Sequence, residues 1–177
     1  MKKIFLLLFL AAVLADAMPT GPAELTLRDL SGKRVRLRDS RGQIVVVNFW
    51  ATWCSSCAEE MPMLMDAERQ YGARGVVFVG VSLDDRKTRR NIPEFVNNYR
   101  INFPVWIGAT SDDAARMGLG NIVPSTVFVD RDGRIIARVE GTLRPDELKE
   151  RIEWLLGDRT APPPALIRHD DGGQVSS

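Results

Sequence analysis

The sequence predicts an α/β fold with a mixed central sheet flanked by helices, and three observations carry that reading. Ile44 to Trp50 (IVVVNFW) is a strand-length run that is apolar at nearly every position, as a strand covered on both faces must be. A helical stretch and a second apolar run, Val76 to Val81 (VVFVGV), follow it and complete a βαβ unit with a right-handed crossover. Nearer the C-terminus, Asp132-Gly133 between two short runs of strand formers signals an antiparallel hairpin.

The elements follow in order. Residues 1–17 carry Lys2 and Lys3, an apolar run from Ile4 to Leu14, and the small-residue site Ala15-Asp16-Ala17. That is the plan of a cleaved secretory signal peptide, and the run is well short of the roughly 20 apolar residues that span a bilayer; an uncleaved anchor is the alternative. The mature chain then begins at Met18, outside the cytoplasm, where disulfides persist. Glu24 to Leu27 and Val35 to Leu37 alternate with period two around Ser31-Gly32-Lys33, predicting an N-terminal β-hairpin. After the buried strand, Ser55 to Tyr71 reads as a helix closed by Gly72. Ile92 to Tyr99 is a short helix, Phe103 to Ile107 a strand and Asp112 to Met117 another helical turn or two; together they form a helical insertion. Ser125 to Val129 and Arg134 to Val139 make the late hairpin, and Pro145 to Leu156 has helical periodicity. The folded domain therefore occupies residues 18–158. Residues 159–177, with Pro162-Pro163-Pro164 and a polar end, hold too little apolar surface to offset their ordering and are expected to be a flexible tail, although Ala165-Leu166-Ile167 could dock.

Composition narrows function mostly by exclusion. The 177 residues are 45% hydrophobic and 27% charged, the balance of a soluble globular chain. With 24 Lys and Arg against 23 Asp and Glu, no net field draws the protein to nucleic acid or to a membrane surface.

The two cysteines, Cys54 and Cys57, are separated by Ser55-Ser56 and directly follow the buried strand. In an exported chain, a C-x-x-C at the strand-to-helix junction of a βαβ unit reads as a redox pair. A sulfur at the helix start meets unpaired backbone N–H groups and the positive end of the helix dipole, both of which favour thiolate, so Cys54 is the expected nucleophile. Cys57, one turn deeper on the same face, can resolve a mixed disulfide formed at Cys54. A structural staple across two residues removes little unfolded-state entropy. A metal site wants more ligands than this pair, and the single histidine, His169, lies in the tail; a soft-metal carrier using both thiolates is the remaining alternative. Glu60 continues the three-residue spacing of Cys54 and Cys57, which places a carboxylate where it can raise the thiol pKa values and exchange a proton with Cys57. A solvated helix carboxylate like Glu59 is the plainer reading.

The segment Asn48 to Pro62, NFWATWCSSCAEEMP, resembles the active-site segment of the TlpA/ResA branch of the thioredoxin superfamily. The resemblance covers residues 22 to 156, including the hairpin and the helical insertion, and implies a thioredoxin-like fold. It aligns Trp53 with the family's active-site tryptophan, Glu60 with its acidic residue and Pro62 with the proline that kinks its helix. Asn48 stands where cytoplasmic thioredoxins carry a buried Asp. Ile122-Val123-Pro124-Ser125-Thr126 is similar to the loop that carries a cis-proline facing the cysteines, so Pro124 is expected to be cis. A proline cannot donate an N–H, so the Val123 carbonyl and the Ser125 backbone would be left to pair with a substrate strand, with Trp53 exposed beside the sulfurs. The implied function is exported dithiol–disulfide exchange on disulfide-containing proteins, with apocytochrome c or a related maturation target among the family's substrates. No cofactor or metal is expected; the chain is expected to act as a monomer without nucleic acid, and a membrane thiol carrier is the expected electron donor. Two other classes share the fold: peroxiredoxins, whose P-x-x-x-T-x-x-C setting is not found around Cys54, and copper chaperones with C-x-x-x-C and a distant histidine.

Overall fold

The computed structural model describes residues 22–174, so the expected signal peptide at 1–17 lies outside the described residues. Ten strands and four helices follow in chain order: β1 (Thr26–Asp29), β2 (Arg34–Arg36), β3 (Ile44–Trp50), α1 (Ser55–Tyr71), β4 (Val76–Ser82), α2 (Ile92–Tyr99), β5 (Val105–Ile107), α3 (Ser111–Arg116), β6 (Ile122–Val123), β7 (Ser125–Val129), β8 (Ile135–Glu140), α4 (Pro145–Leu156), β9 (Ile167–Arg168) and β10 (Gly173–Gln174). Eight strands form one mixed sheet in the order β2-β1-β5-β4-β3-β7-β8-β9, while β10 and β6 pair separately. β3 runs parallel to β4 and antiparallel to β7, which makes it the centre of the sheet.

That central place follows from composition. All seven residues of β3 are buried, and since successive side chains point to opposite faces, both faces of the sheet are covered there. Trp50 stacks on Phe95 of α2 with ring centroids 4.6 Å apart, so the helical insertion closes over the end of β3. Each fully buried side chain of this size contributes on the order of 1.5–3 kcal/mol. The opening hairpin pairs Leu27 with Val35 and joins the sheet through β5.

The helix α1 ends at Tyr71 with Gly72 as its C-cap, at right-handed φ −56°; a tight turn continues through Arg74, and Gly75, at φ 84°, makes the left-handed step into β4. One expectation needs correction: residues 159–174 do not extend from the domain but pack against it. β9 adds in parallel to β8, and β10 adds antiparallel to β6. The Trp154 indole N–H donates to the Ala161 carbonyl. The Arg151 guanidinium, 1% exposed, donates to the Ala165 carbonyl at 3.0 Å. Arg168 meets the buried Glu140 at 3.1 Å, and His169 Nε2 lies 2.9 Å from Glu147. A tally of apolar residues undervalues such a segment because it supplies partners to Glu140, Glu147 and Arg151, which are buried in the folded chain and costly to leave unpaired.

Candidate active site

The strand-to-helix junction is fixed before chemistry enters. β3 ends at Trp50, whose carbonyl accepts from Leu83 N–H at 2.8 Å just beyond β4. In the next residues Asp84, 4% exposed, accepts from Thr52 N–H at 3.0 Å, Thr52 Oγ1 at 2.6 Å and Ser82 Oγ at 2.8 Å. One buried carboxylate thus holds the approach to Cys54 from the neighbouring parallel strand. Its partner Thr52 lies 32 residues away in sequence, and only Ser82 is local.

Cys54 is the N-cap of α1, with extended backbone (φ −93°, ψ 109°), and its sulfur accepts the Cys57 backbone N–H at 3.1 Å. Ser56 Oγ stands 3.5 Å from the same sulfur. These donors point where negative charge forms in the thiolate, and the aligned peptide dipoles of the helix add to them. The two cysteines are joined as a disulfide with their Cα atoms 5.3 Å apart. Cys54 is 5% exposed and Cys57 is fully buried, so a substrate sulfur reaches Cys54 first. Trp53, 43% exposed, borders an open cleft with Cys54, Ser55, Ser56, Asp171 and Gly172. Pro62 lies within α1, where its ring nitrogen cannot donate to the Ala58 carbonyl.

Glu60 is not a solvated carboxylate. It is 3% exposed; Oε1 accepts from Asn48 Nδ2 at 2.5 Å and Oε2 accepts from Leu143 N–H at 2.9 Å. Burial pushes its pKa up to about 8 against the opposing pull of those two hydrogen bonds, and the negative charge of Asp171 pushes the same way. Asn48 also donates to Thr126 Oγ1, while its own Oδ1 has no partner among the described residues. Glu59, next in sequence, is exposed. The carboxyl next along the Cys54–Cys57 face is therefore a buried acid that titrates where thiols do.

The Val123–Pro124 peptide bond is cis. The Pro124 carbonyl accepts from Gly141 N–H at 2.9 Å. Thr142 N–H donates to Asp171 Oδ1, and Leu143 N–H to Glu60, so three successive amides tie the cis-proline loop, the C-terminal segment and Glu60 to one turn. Gly141 is needed there: its φ is +87°, and a Cβ would lie 2.7 Å from Asp171 Oδ1 and 2.8 Å from the His169 carbonyl. The backbone expected to be open beside Pro124 is not open. Ser125 lies inside the sheet between Phe49 of β3 and Glu140 of β8, and Val123 is paired with Gly173. Sequence periodicity gave no sign of this, because a two-residue pairing has no period to detect.

Among the described residues, no group of three or more His, Cys, Asp and Glu is arranged to hold a metal ion, and no helix is long and apolar enough to cross a membrane.

Comparison with known proteins agrees with this geometry. Residues 17–138 match the AhpC/TSA family. The chain is 30% identical over 165 residues to the thiol-disulfide oxidoreductase ResA of Geobacillus thermodenitrificans, spanning 86% of this chain and 93% of that protein. It is 33% identical over 128 residues to the ResA of Bacillus anthracis, spanning 72% and 70%. A crystal structure of a putative thiol:disulfide interchange protein DsbE from Chlorobium tepidum superposes with a TM-score of 0.68 at 26% identity, covering 77% of this chain and 96% of that one. The thioredoxin domain of a thiol-disulfide oxidoreductase from Bacteroides vulgatus gives a TM-score of 0.68 at 26% identity, covering 80% and 99%.

Proposed function

This chain belongs to the AhpC/TSA family as a thiol–disulfide oxidoreductase related to ResA, and from that premise we propose that it is an exported reductase of protein disulfides. The observation that carries the reading is Cys54 as the N-cap of α1, its sulfur accepting the Cys57 N–H, with Cys57 buried behind it.

In the dithiol form, the Cys54 thiolate attacks one sulfur of a substrate disulfide. That bond breaks, a mixed disulfide forms, and the leaving substrate thiolate takes up a proton. Cys57 then loses its proton and attacks the Cys54 sulfur, which closes the Cys54–Cys57 disulfide and releases the second substrate thiol. Two electrons have passed to the substrate, and no cofactor is needed. Glu60, with its pKa raised to about 8, is mostly protonated at neutral pH, and in its ionised fraction it takes the Cys57 proton. The cis-Pro124 loop and the exposed Trp53 orient the substrate segment beside Cys54, with Val123 available to it once the Gly173 pairing opens.

The direction follows from what surrounds the sulfurs. Ser55-Ser56 offers hydroxyls but no basic side chain between the cysteines, so thiolate is favoured mainly by the helix terminus. That modest stabilisation of the reduced form suits a reductant, with apocytochrome c or a related maturation protein as target. With no third cysteine, the protein must be re-reduced by an outside thiol donor, for which a membrane carrier is suited. The signal-like residues 1–17 support an extracytoplasmic location. A peroxidase reading is disfavoured because Val47 and Ala51 stand where the P-x-x-x-T-x-x-C motif has Pro and Thr. Equilibration against glutathione tests the direction: a potential more negative than about −200 mV supports a reductase, and one near the roughly −120 mV of strong oxidants would reverse the assignment.

A further inference from the structure

We propose that the C-terminal segment 165–174 is a pseudosubstrate strap: paired to Ile122–Val123, it occupies the edge on which an extended substrate peptide docks, and it leaves when such a peptide reaches Cys54. The inference rests on the reading of the site as a protein-disulfide reductase and adds what that reading lacks, a device that separates polypeptide substrates from small disulfides.

The segment enters along β8, where His169 N–H donates to the Glu140 carbonyl at 2.7 Å. It turns at Asp170 and Asp171, with the Asp171 carboxylate accepting Thr142 N–H at 2.9 Å. It then runs antiparallel to β6 with Gly173 opposite Val123 and Gln174 opposite Ile122. This is strand addition to a free edge, the mode by which extended peptides are bound. The fit at the edge is close: a Cβ on Gly172 would lie 2.4 Å from Ile122 Cγ1 and 3.1 Å from the Val123 carbonyl oxygen. Asp171 and Gly172 also wall the cleft that holds Trp53, Cys54, Ser55 and Ser56. A substrate chain laid along Val123 with its disulfide at Cys54 would overlap this segment.

The anchoring is graded in a way that suits release. Residues up to His169 are held by Arg168 on Glu140, His169 against Glu147 and the Arg151 bond to Ala165. Beyond the turn, the described residues show only the Asp171 cap and two residue pairs, each hydrogen bond contributing about 1 kcal/mol net. The distal part can therefore open while the proximal part stays in place. A strap closed nine-tenths of the time weakens apparent binding of a polypeptide about tenfold and leaves a small disulfide, which enters through the open cleft, unaffected.

Two measurements on the full chain test this. In the first, the Cys57→Ser protein is joined through Cys54 to an extended cysteine-containing peptide, and amide exchange is followed at residues 172–174. Loss of protection there on forming the adduct, with residues 167–169 still protected, is the expected result; unchanged protection at 172–174 overturns the proposal. In the second, Gln174→Pro, which weakens the pairing to Ile122 at a position outside the Cys54 cleft, is compared with the parent in reducing insulin and the small disulfide dithiobis-nitrobenzoate. The expected outcome is a three- to tenfold rise in kcat/KM for insulin, with the small disulfide within twofold. An equal rise for both substrates, or no rise for insulin, overturns it. If the parent reduces neither substrate, the oxidoreductase reading fails first and the strap with it.

Discussion

Replacing Glu60 by Gln removes a titration that the fold has displaced far from its ordinary range, so the outcome is a change in shape of the stability–pH curve. Burial raises the Glu60 pKa from 4.5 to about 8. The native state therefore keeps a proton that the unfolded chain releases. The sign follows directly: the contribution is complete below pH 4.5, declines as pH rises, and is lost once pH passes about 8. The slope is at most about 1.4 kcal/mol per pH unit, and the whole window is worth no more than about 5 kcal/mol. Gln carries a constant penalty of about 1–3 kcal/mol, because its NH2 must face one of the two N–H donors now directed at the carboxyl. An Asn48 amide flip, presenting the unpartnered Oδ1, would relieve part of that penalty. The penalty does not vary with pH, so the diagnostic quantity is the parent-minus-variant difference. Urea unfolding of both oxidised proteins from pH 5 to 9 should show that difference falling by several kcal/mol as pH rises. Parallel curves would refute a buried, titrating Glu60. In the reduced protein, Glu60→Gln should lower the Cys54 thiol pKa and slow turnover, while Glu59→Gln, altering an exposed side chain, should do neither.

Further outcomes follow from the same geometry. Cys54→Ser should abolish disulfide reduction, and Cys57→Ser should accumulate long-lived mixed disulfides at Cys54, both visible on non-reducing gels. Asp84→Ala strips three hydrogen bonds from the Thr52–Ser82 junction and should cost about 2–3 kcal/mol in urea unfolding, with Asp84→Asn milder. Intact-mass measurement of the exported protein should find Met18 as its first residue; a chain that keeps residues 1–17 in the membrane fraction would favour an anchor.

The sequence discloses the central fold because its signals there are local. IVVVNFW is apolar on both faces, and a run of that kind has few places to go other than the middle of a sheet. C-x-x-C directly after it marks the helix terminus for the same reason of adjacency. Glu60 was legible by spacing but its burial was not: Glu59 and Glu60 look alike in sequence, and only Asn48 and the Leu143 amide, supplied by a central strand and a distant turn, distinguish them. Asp84 gives no sign in the sequence, because its partner Thr52 belongs to the turn after the adjacent parallel strand. The docking of the C-terminal segment is only faintly legible in Ala165-Leu166-Ile167, because composition measures apolar content, whereas this segment supplies Arg168 and His169 to buried acids and backbone to β6.

The most direct test of thiol–disulfide exchange at Cys54 is a single turnover of the reduced parent protein. With external reductant removed, it is mixed with an equimolar disulfide-linked peptide, quenched in acid and analysed by mass. Loss of the peptide disulfide, an equal yield of Cys54–Cys57 disulfide, and a transient adduct mapped to Cys54 are the expected results. An adduct mapped to Cys57, or a peptide disulfide that survives while both protein thiols stay free, would contradict it.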